Sequence, residues 1–265
     1  MADKREPLRT IAVTNQKGGS GKTTTAVNLA AALGERGYRT LVVDLDPQHS
    51  ASSWLAVVDD GQGLLDVFTG KRTLVELVRK TTAPGVDIVT AGRWLLSVEP
   101  TLAVEPGKET LFRRALSRLP ADRWSFVLVD CPPSLGLLVI SALAACDEVL
   151  VPVEAHVMAL AGLAALTETV ERVRERLNPG LNITAIVACR VDARTNLAGD
   201  VVERLRERFG DLVLKAVVRE NVRLAEAPSF MQPITLYAPD SAGAVDYRAV
   251  AKELVGRRPS RPRRS

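Results

Sequence analysis

The chain alternates between short runs of Val, Leu and Ile and longer stretches in which apolar residues recur at helical spacing. Residues 9–14, 40–44, 86–90, 125–130, 148–153 and 182–189 are brief and almost continuously apolar, the pattern of strands buried on both faces. Residues 22–36, 108–119, 136–145, 158–177, 197–209 and 242–255 read as helices. Strand and helix in alternation imply right-handed crossovers and an α/β fold, with a mostly parallel twisted sheet flanked by helices. In such a sheet ligands gather beyond the carboxyl ends of the strands. A single domain over 9–256 is expected, with 1–8 a flexible N-terminus and 257–265, rich in Arg and Pro, a basic disordered tail.

Composition narrows this little. Apolar residues make up 46% and aromatic residues 4%, so Val, Leu, Ala and Ile fill the core, as suits a buried parallel sheet. A net charge of +4 permits an anionic partner without requiring one. No run approaches the roughly 18 apolar residues of a membrane span, and the polar start carries no secretory pattern. Cys131, Cys146 and Cys189 are widely spaced, which argues against a disulfide framework or zinc site and for a reducing cytoplasm.

The chemistry begins at Lys17-Gly18-Gly19-Ser20-Gly21-Lys22-Thr23-Thr24, directly after the first strand and at the start of the first helix. That context is the one a phosphate-binding loop requires: glycines turn backbone N–H groups inward and the helix N-terminus adds its positive end. Lys22 then reaches the outer phosphates of a nucleotide, and the Thr23 hydroxyl is placed to ligate Mg²⁺. Gln16 stands where the common G-x-x-x-x-G-K-S/T spacing has its first glycine, and Lys17 supplies a second lysine. Two acidic segments lie further along. In Asp44-Leu45-Asp46-Pro47-Gln48 the two acids share a face if the strand continues that far; capping of the next turn by Asp46 is the alternative. In Val127-Leu128-Val129-Asp130-Cys131-Pro132-Pro133 an apolar strand ends in an acid, the form of a Walker B strand.

The loop K-G-G-x-G-K-T-T resembles the deviant Walker A loop of the ParA/MinD group of P-loop ATPases, and D-x-D-P-Q and D-C-P-P-S resemble the same group. The resemblance implies ATP and Mg²⁺ as cofactors and a sandwich dimer formed with ATP. Lys17 would cross the dimer interface to the partner's nucleotide, much as an arginine finger does. Gly18 would lie where the two nucleotides face each other, Asp46 would position the attacking water, and Asp44 and Asp130 would serve the metal. Further segments, Val191-Asp192-Ala193-Arg194-Thr195-Asn196-Leu197 and Arg219-Glu220-Asn221-Val222-Arg223-Leu224, resemble chromosomal ParA proteins of the Soj type. There, arginines matching Arg194 and Arg223 bind DNA, and Lys215 and Arg219 would extend the patch.

These implications describe a cytoplasmic, nucleoid-associated ATPase that binds double-stranded DNA without sequence preference and is stimulated by a ParB-like centromere-binding partner. Chromosome and plasmid cargo both remain open. The alternatives are a MinD-like ATPase positioning a protein cargo, though no amphipathic C-terminal helix is present, and a metabolic P-loop enzyme without a DNA role. A membrane is not expected as a partner.

Overall fold

The computed structural model describes residues 8–57, 63–156, 159–192 and 194–257. The expected N-terminal segment through residue 7, the tail from residue 258 and the first position of the helix expected from 158 lie outside them. Among the described residues seven strands form one sheet: β1 (Arg9–Val13), β2 (Thr40–Asp44), β3 (Arg79–Lys80), β4 (Val86–Val89), β5 (Phe126–Asp130), β6 (Glu148–Glu154) and β7 (Asn182–Cys189). Their order is β3-β4-β2-β5-β1-β6-β7, parallel throughout except for the edge pair β3–β4. All six expected strands are present; β3, two exposed basic residues, has no apolar pattern to announce it.

The register gathers three strand tips at one end of the sheet. Asp130 at the tip of β5 stands beside Val13 at the tip of β1 and beside Asp44 at the tip of β2. Two apolar clusters, one on each face, hold the sheet. One contains the helix Lys22–Glu35 and the helix Ala242–Gly256; the other contains the helices Leu111–Leu116, Leu137–Ala145 and Ala159–Arg176. The expected helix over 108–119 is shorter than its pattern, a 3₁₀ turn at Lys108–Thr110 followed by helix Leu111–Leu116. Beyond β7 the extended segment 213–219 runs alongside, bridged at Ile186–Val213 and Val191–Arg219. Glu253 accepts the N–H groups of Lys215 and Ala216 and so ties this segment to the last helix.

Both ends of the expected domain are tied in. Leu8 packs against the core, and Arg257, expected in the tail, donates to the carbonyls of Thr184, Leu212 and Val213 and pairs with Glu253. At the opposite end of the chain Arg9 is buried, paired through two nitrogens with Glu148 and hydrogen-bonded to the Leu254 carbonyl. No described helix is long and apolar enough to cross a membrane.

Gly34 shows how tightly the first helix is seated. A Cβ built there would lie 2.2 Å from the Pro84 carbonyl oxygen, a backbone atom that cannot swing aside. Propensity favours Ala over Gly in a helix by about 1 kcal/mol. The overlap with Pro84 outweighs it: Gly34→Ala is expected to destabilise the protein by about 1–3 kcal/mol, read from its urea midpoint.

Candidate nucleotide site at the crest of the sheet

The loop between β1 and the helix Lys22–Glu35 needs its glycines for conformation. Gly19 and Gly21 have φ of 73° and 89°, left-handed values that a side chain would strain. Asn15 pins the loop's entry, donating to the Pro152 carbonyl at 2.7 Å and accepting from the Lys17 N–H at 3.1 Å. The side chain of Lys22 is buried, with its Nζ 3.2 Å from the Lys17 carbonyl. Burial lowers its pKa, and the charges of Asp130 and Asp46 draw it back.

Asp130 is fully buried, and neither carboxylate oxygen has a hydrogen-bond partner among the described residues. Burial, and then the neighbouring Asp44, push its pKa well above the ordinary carboxylate value. The Thr23 hydroxyl stands nearby and favours the charged form, without reaching hydrogen-bonding geometry. Buried polar atoms are rarely left so. Gln16 Nε2 and Ser20 Oγ, both in the loop, are also buried and without a partner among the described residues. This concentration of unmet polar atoms around a glycine cradle fits a charged ligand, and a hydroxyl–carboxylate pair is hard-oxygen chemistry suited to Mg²⁺.

Asp44 and Asp46 differ from the expectation that both project from one strand. The strand ends at Asp44 and the chain turns, so that the Asp46 N–H donates to Asp44 Oδ1 at 3.2 Å. Asp44 Oδ2 accepts from both the N–H and the hydroxyl of Ser52, at 2.8 and 2.6 Å. With both oxygens engaged by donors of its own loop, Asp44 braces the turn. Asp46 also caps the following turn, its Oδ1 accepting the Gln48 N–H at 2.9 Å, and its side chain faces the cavity.

That cavity, about 1010 Å³, is lined by Gly18, Gly19, Ser20, Gly21, Lys22, Thr23 and Thr24 on one side and by 189–192, Arg194, 218–222, Leu224 and Ala225 on the other. Cys189 lies beneath Gly21; burial pushes its thiol up to about 12, so it is an inert part of the wall. Lys17 does not line the cavity. Its ammonium sits on the rim, 2.6 Å from Glu154, whose carboxylate also meets Arg190 at 3.3 Å.

The four expected DNA-contacting residues are not brought together as one patch. Arg194 and Arg223 are exposed near the cavity's outer wall, paired with Asp192 and Glu226. The bond from Arg194 holds the Asp192 carboxyl down at about 2. Arg219 is clasped by Asp246 through its side chain and backbone N–H. Lys215 lies in a separate concavity, shared with Arg206 and Arg257. Ser52, Asn15 and Glu154 are the site residues that sequence reasoning missed. Glu154 had a readable cue as the acid just past an apolar strand, whereas Ser52 is one of several serines in Ser50-Ala51-Ser52-Ser53 and nothing there marks it out.

A parallel sheet with a glycine loop, a buried lysine and an acid at the adjacent strand tip defines a P-loop ATPase. Residues 8–183 match the AAA domain family. The sporulation initiation inhibitor protein Soj of Bacillus subtilis is 42% identical over 247 residues, covering 92% of this chain and 97% of its own length. The chromosome partitioning protein ParA of Caulobacter vibrioides is 42% identical over 254 residues, 95% of each chain. Among solved structures, cobyrinic acid a,c-diamide synthase from Mycobacterium smegmatis with bound ATP analog and magnesium superposes with a TM-score of 0.80 at 31% identity, over 94% of each chain. The chain belongs to the ParA/Soj family of ATPases.

The raised pKa of Asp130 has a measurable consequence. In Mg²⁺-free buffer the folded protein keeps a proton that the unfolded chain releases above about pH 4, so stability falls as pH rises from there. Asp130→Asn is expected to raise the urea midpoint at pH 7.5 and flatten that dependence while abolishing Mg²⁺-dependent ATP hydrolysis. Equal pH slopes for the two proteins would refute the assignment.

Proposed function

We propose that this chain is a partitioning ATPase: with ATP and Mg²⁺ it closes as a homodimer around two nucleotides and binds duplex DNA without sequence preference. A ParB-like partner then stimulates hydrolysis and release. The observation that carries this reading is the placement of the two loop lysines. Lys22 is buried in the cradle, where it serves the nucleotide of its own subunit. Lys17 stands outside on the rim, held by Glu154 in a pair whose side chains are 43% and 22% exposed. Such a pair is worth no more than about 1 kcal/mol, so a partner subunit's nucleotide phosphates compete for Lys17 readily.

Within one subunit, the loop's N–H groups receive the phosphates and Lys22 neutralises their charge. Thr23 and Asp130 would hold Mg²⁺; when bound, the ion supplies charge neutralisation at the phosphates. Asp46, whose Oδ1 is held by the Gln48 N–H, lines the cavity, where it orients the attacking water. Arg194 and Arg223 pair with acids at exposed positions, and these contacts exchange for DNA phosphates at little cost. Arg219, bound on two sides to a buried acid, we assign to holding the cavity wall, and Lys215 to a separate surface. With DNA as ligand, the cytoplasm and its nucleoid are the expected location.

Gly18 offers the cleanest test. A Cβ there meets nothing within 4 Å, so Gly18→Val leaves the subunit and its ADP affinity intact while obstructing the opposed nucleotides. Random-sequence duplex DNA is expected to bind the wild type with a slowly hydrolysed ATP analogue but not with ADP, and to weaken steeply with salt. Gly18→Val, Lys17→Ala and Arg223→Ala should each lose that binding, only the first two losing dimer by sedimentation. DNA binding indifferent to nucleotide would refute the reading and favour a metabolic role, in line with the M. smegmatis synthase.

A further inference from the structure

A chain of hydrogen bonds runs from behind the cavity to its wall. The Ala91 N–H, just past β4, donates to Ser52 Oγ at 3.2 Å. The Ser52 hydroxyl donates to Asp44 Oδ2 at 2.6 Å, joined there by the Ser52 N–H. Asp44 Oδ1 receives the Asp46 N–H at 3.2 Å, and Asp46 Oδ1 receives the Gln48 N–H at 2.9 Å. Ser52, Asp44 and Ala91 are buried, and none lines the cavity; Asp46 and Gln48 do line it.

We infer that Ser52 is a positioning residue: by clamping Asp44, it sets the turn that aims Asp46 at the nucleotide. Three features support this beyond ordinary loop bracing. Asp44 lies next to Asp130 in register, so two buried carboxylates face each other at the sheet's crest. Once Asp130 is ionised, repulsion would drive Asp44 away from it unless its oxygens were held, and Ser52 supplies two of the three donors that hold them. Moreover, the Asp46 N–H is fixed by Asp44 and its carboxylate by Gln48, so any shift of Asp44 rotates the acid that faces the cavity. Finally, the helix Ser50–Trp54 that carries Ser52 is anchored at its far end, Trp54 Nε1 donating to the Gln232 carbonyl at 2.7 Å. The clamp therefore closes against a fixed element.

This inference rests on the ATPase reading, in particular on Asp46 acting at the water, and is independent of DNA. Steady-state ATP hydrolysis without DNA, together with ADP affinity, would be measured for wild type, Ser52→Ala, Ser52→Thr, Asp46→Asn and the Ser52→Ala/Asp46→Asn double variant. Ser53→Ala, an exposed neighbour, is the control. Ser52→Ala is expected to lower kcat about 10- to 100-fold, the scale of a small misplacement of a reacting group, with KM and ADP Kd within two-fold of wild type. Ser52→Thr, which returns the hydroxyl, should recover most of the rate. The double variant should be no slower than Asp46→Asn, because both changes remove the same function. Wild-type kcat in Ser52→Ala would overturn the inference, as would a parallel loss of ADP affinity or an additive loss in the double variant. A wild type that hydrolyses no ATP would instead sink the ATPase reading itself.

Discussion

Everything at the crest of this sheet answers to one electrostatic constraint, the alignment of Asp44 with Asp130 on adjacent strands. Parallel pairing leaves no freedom to slide one acid away from the other, since a one-residue slip would turn each strand's side chains to the wrong face. Two carboxylates without water around them repel strongly, and the protein answers them unequally. Asp44 receives three donors from its own loop. Asp130 is left with none of hydrogen-bonding geometry, and only Lys22 and Thr23 favour its charged form. A polypeptide that invests in such an arrangement has a cation in view. The burial that makes the ionised acid costly alone would strengthen its attraction for a bound cation.

That division of labour explains why the two loop lysines have different surroundings. Lys22 lies close enough to feel both Asp130 and Asp46, so its charge belongs to the interior of the site. Lys17 stands at the other end of the glycine loop, beside the turn that Asn15 pins, and its charge is taken up by Glu154 at the end of β6. Glu154 in turn reaches Arg190, which sits at a φ of 52°, in the left-handed region that a non-glycine residue rarely occupies. The rim is thus a string of exposed, exchangeable charges, while the floor is a set of buried, committed ones.

Much of this was legible in the order of residues. The strand tips, the glycine loop and the acid of β5 follow from apolar runs broken by a few chemically distinctive residues. What escaped was decided by local geometry. Asp44 and Asp46, two apart, suggest a shared strand face, but the strand ends at the first acid and the chain turns. Lys215 and Arg219, four apart, suggest one patch; the segment is extended, so at about 3.3 Å per residue they stand roughly 13 Å apart and line different concavities. Ser52 is invisible because its importance lies in what reaches it from Asp44 and Ala91, residues distant in sequence or separated by a turn.

The two margins of the sheet carry a consequence of their own. An open margin of a β-sheet is a row of unpaired backbone groups onto which another chain's strand can add. Here one margin ends in β3, a two-residue strand of exposed Arg79 and Lys80 running against its neighbour. The other is shielded by 213–219, bridged to β7 and tied down by Glu253. Crowding many copies together therefore gives no invitation to grow by strand addition. Among the described residues, then, side-chain surfaces rather than strand edges are what this sheet offers to another copy.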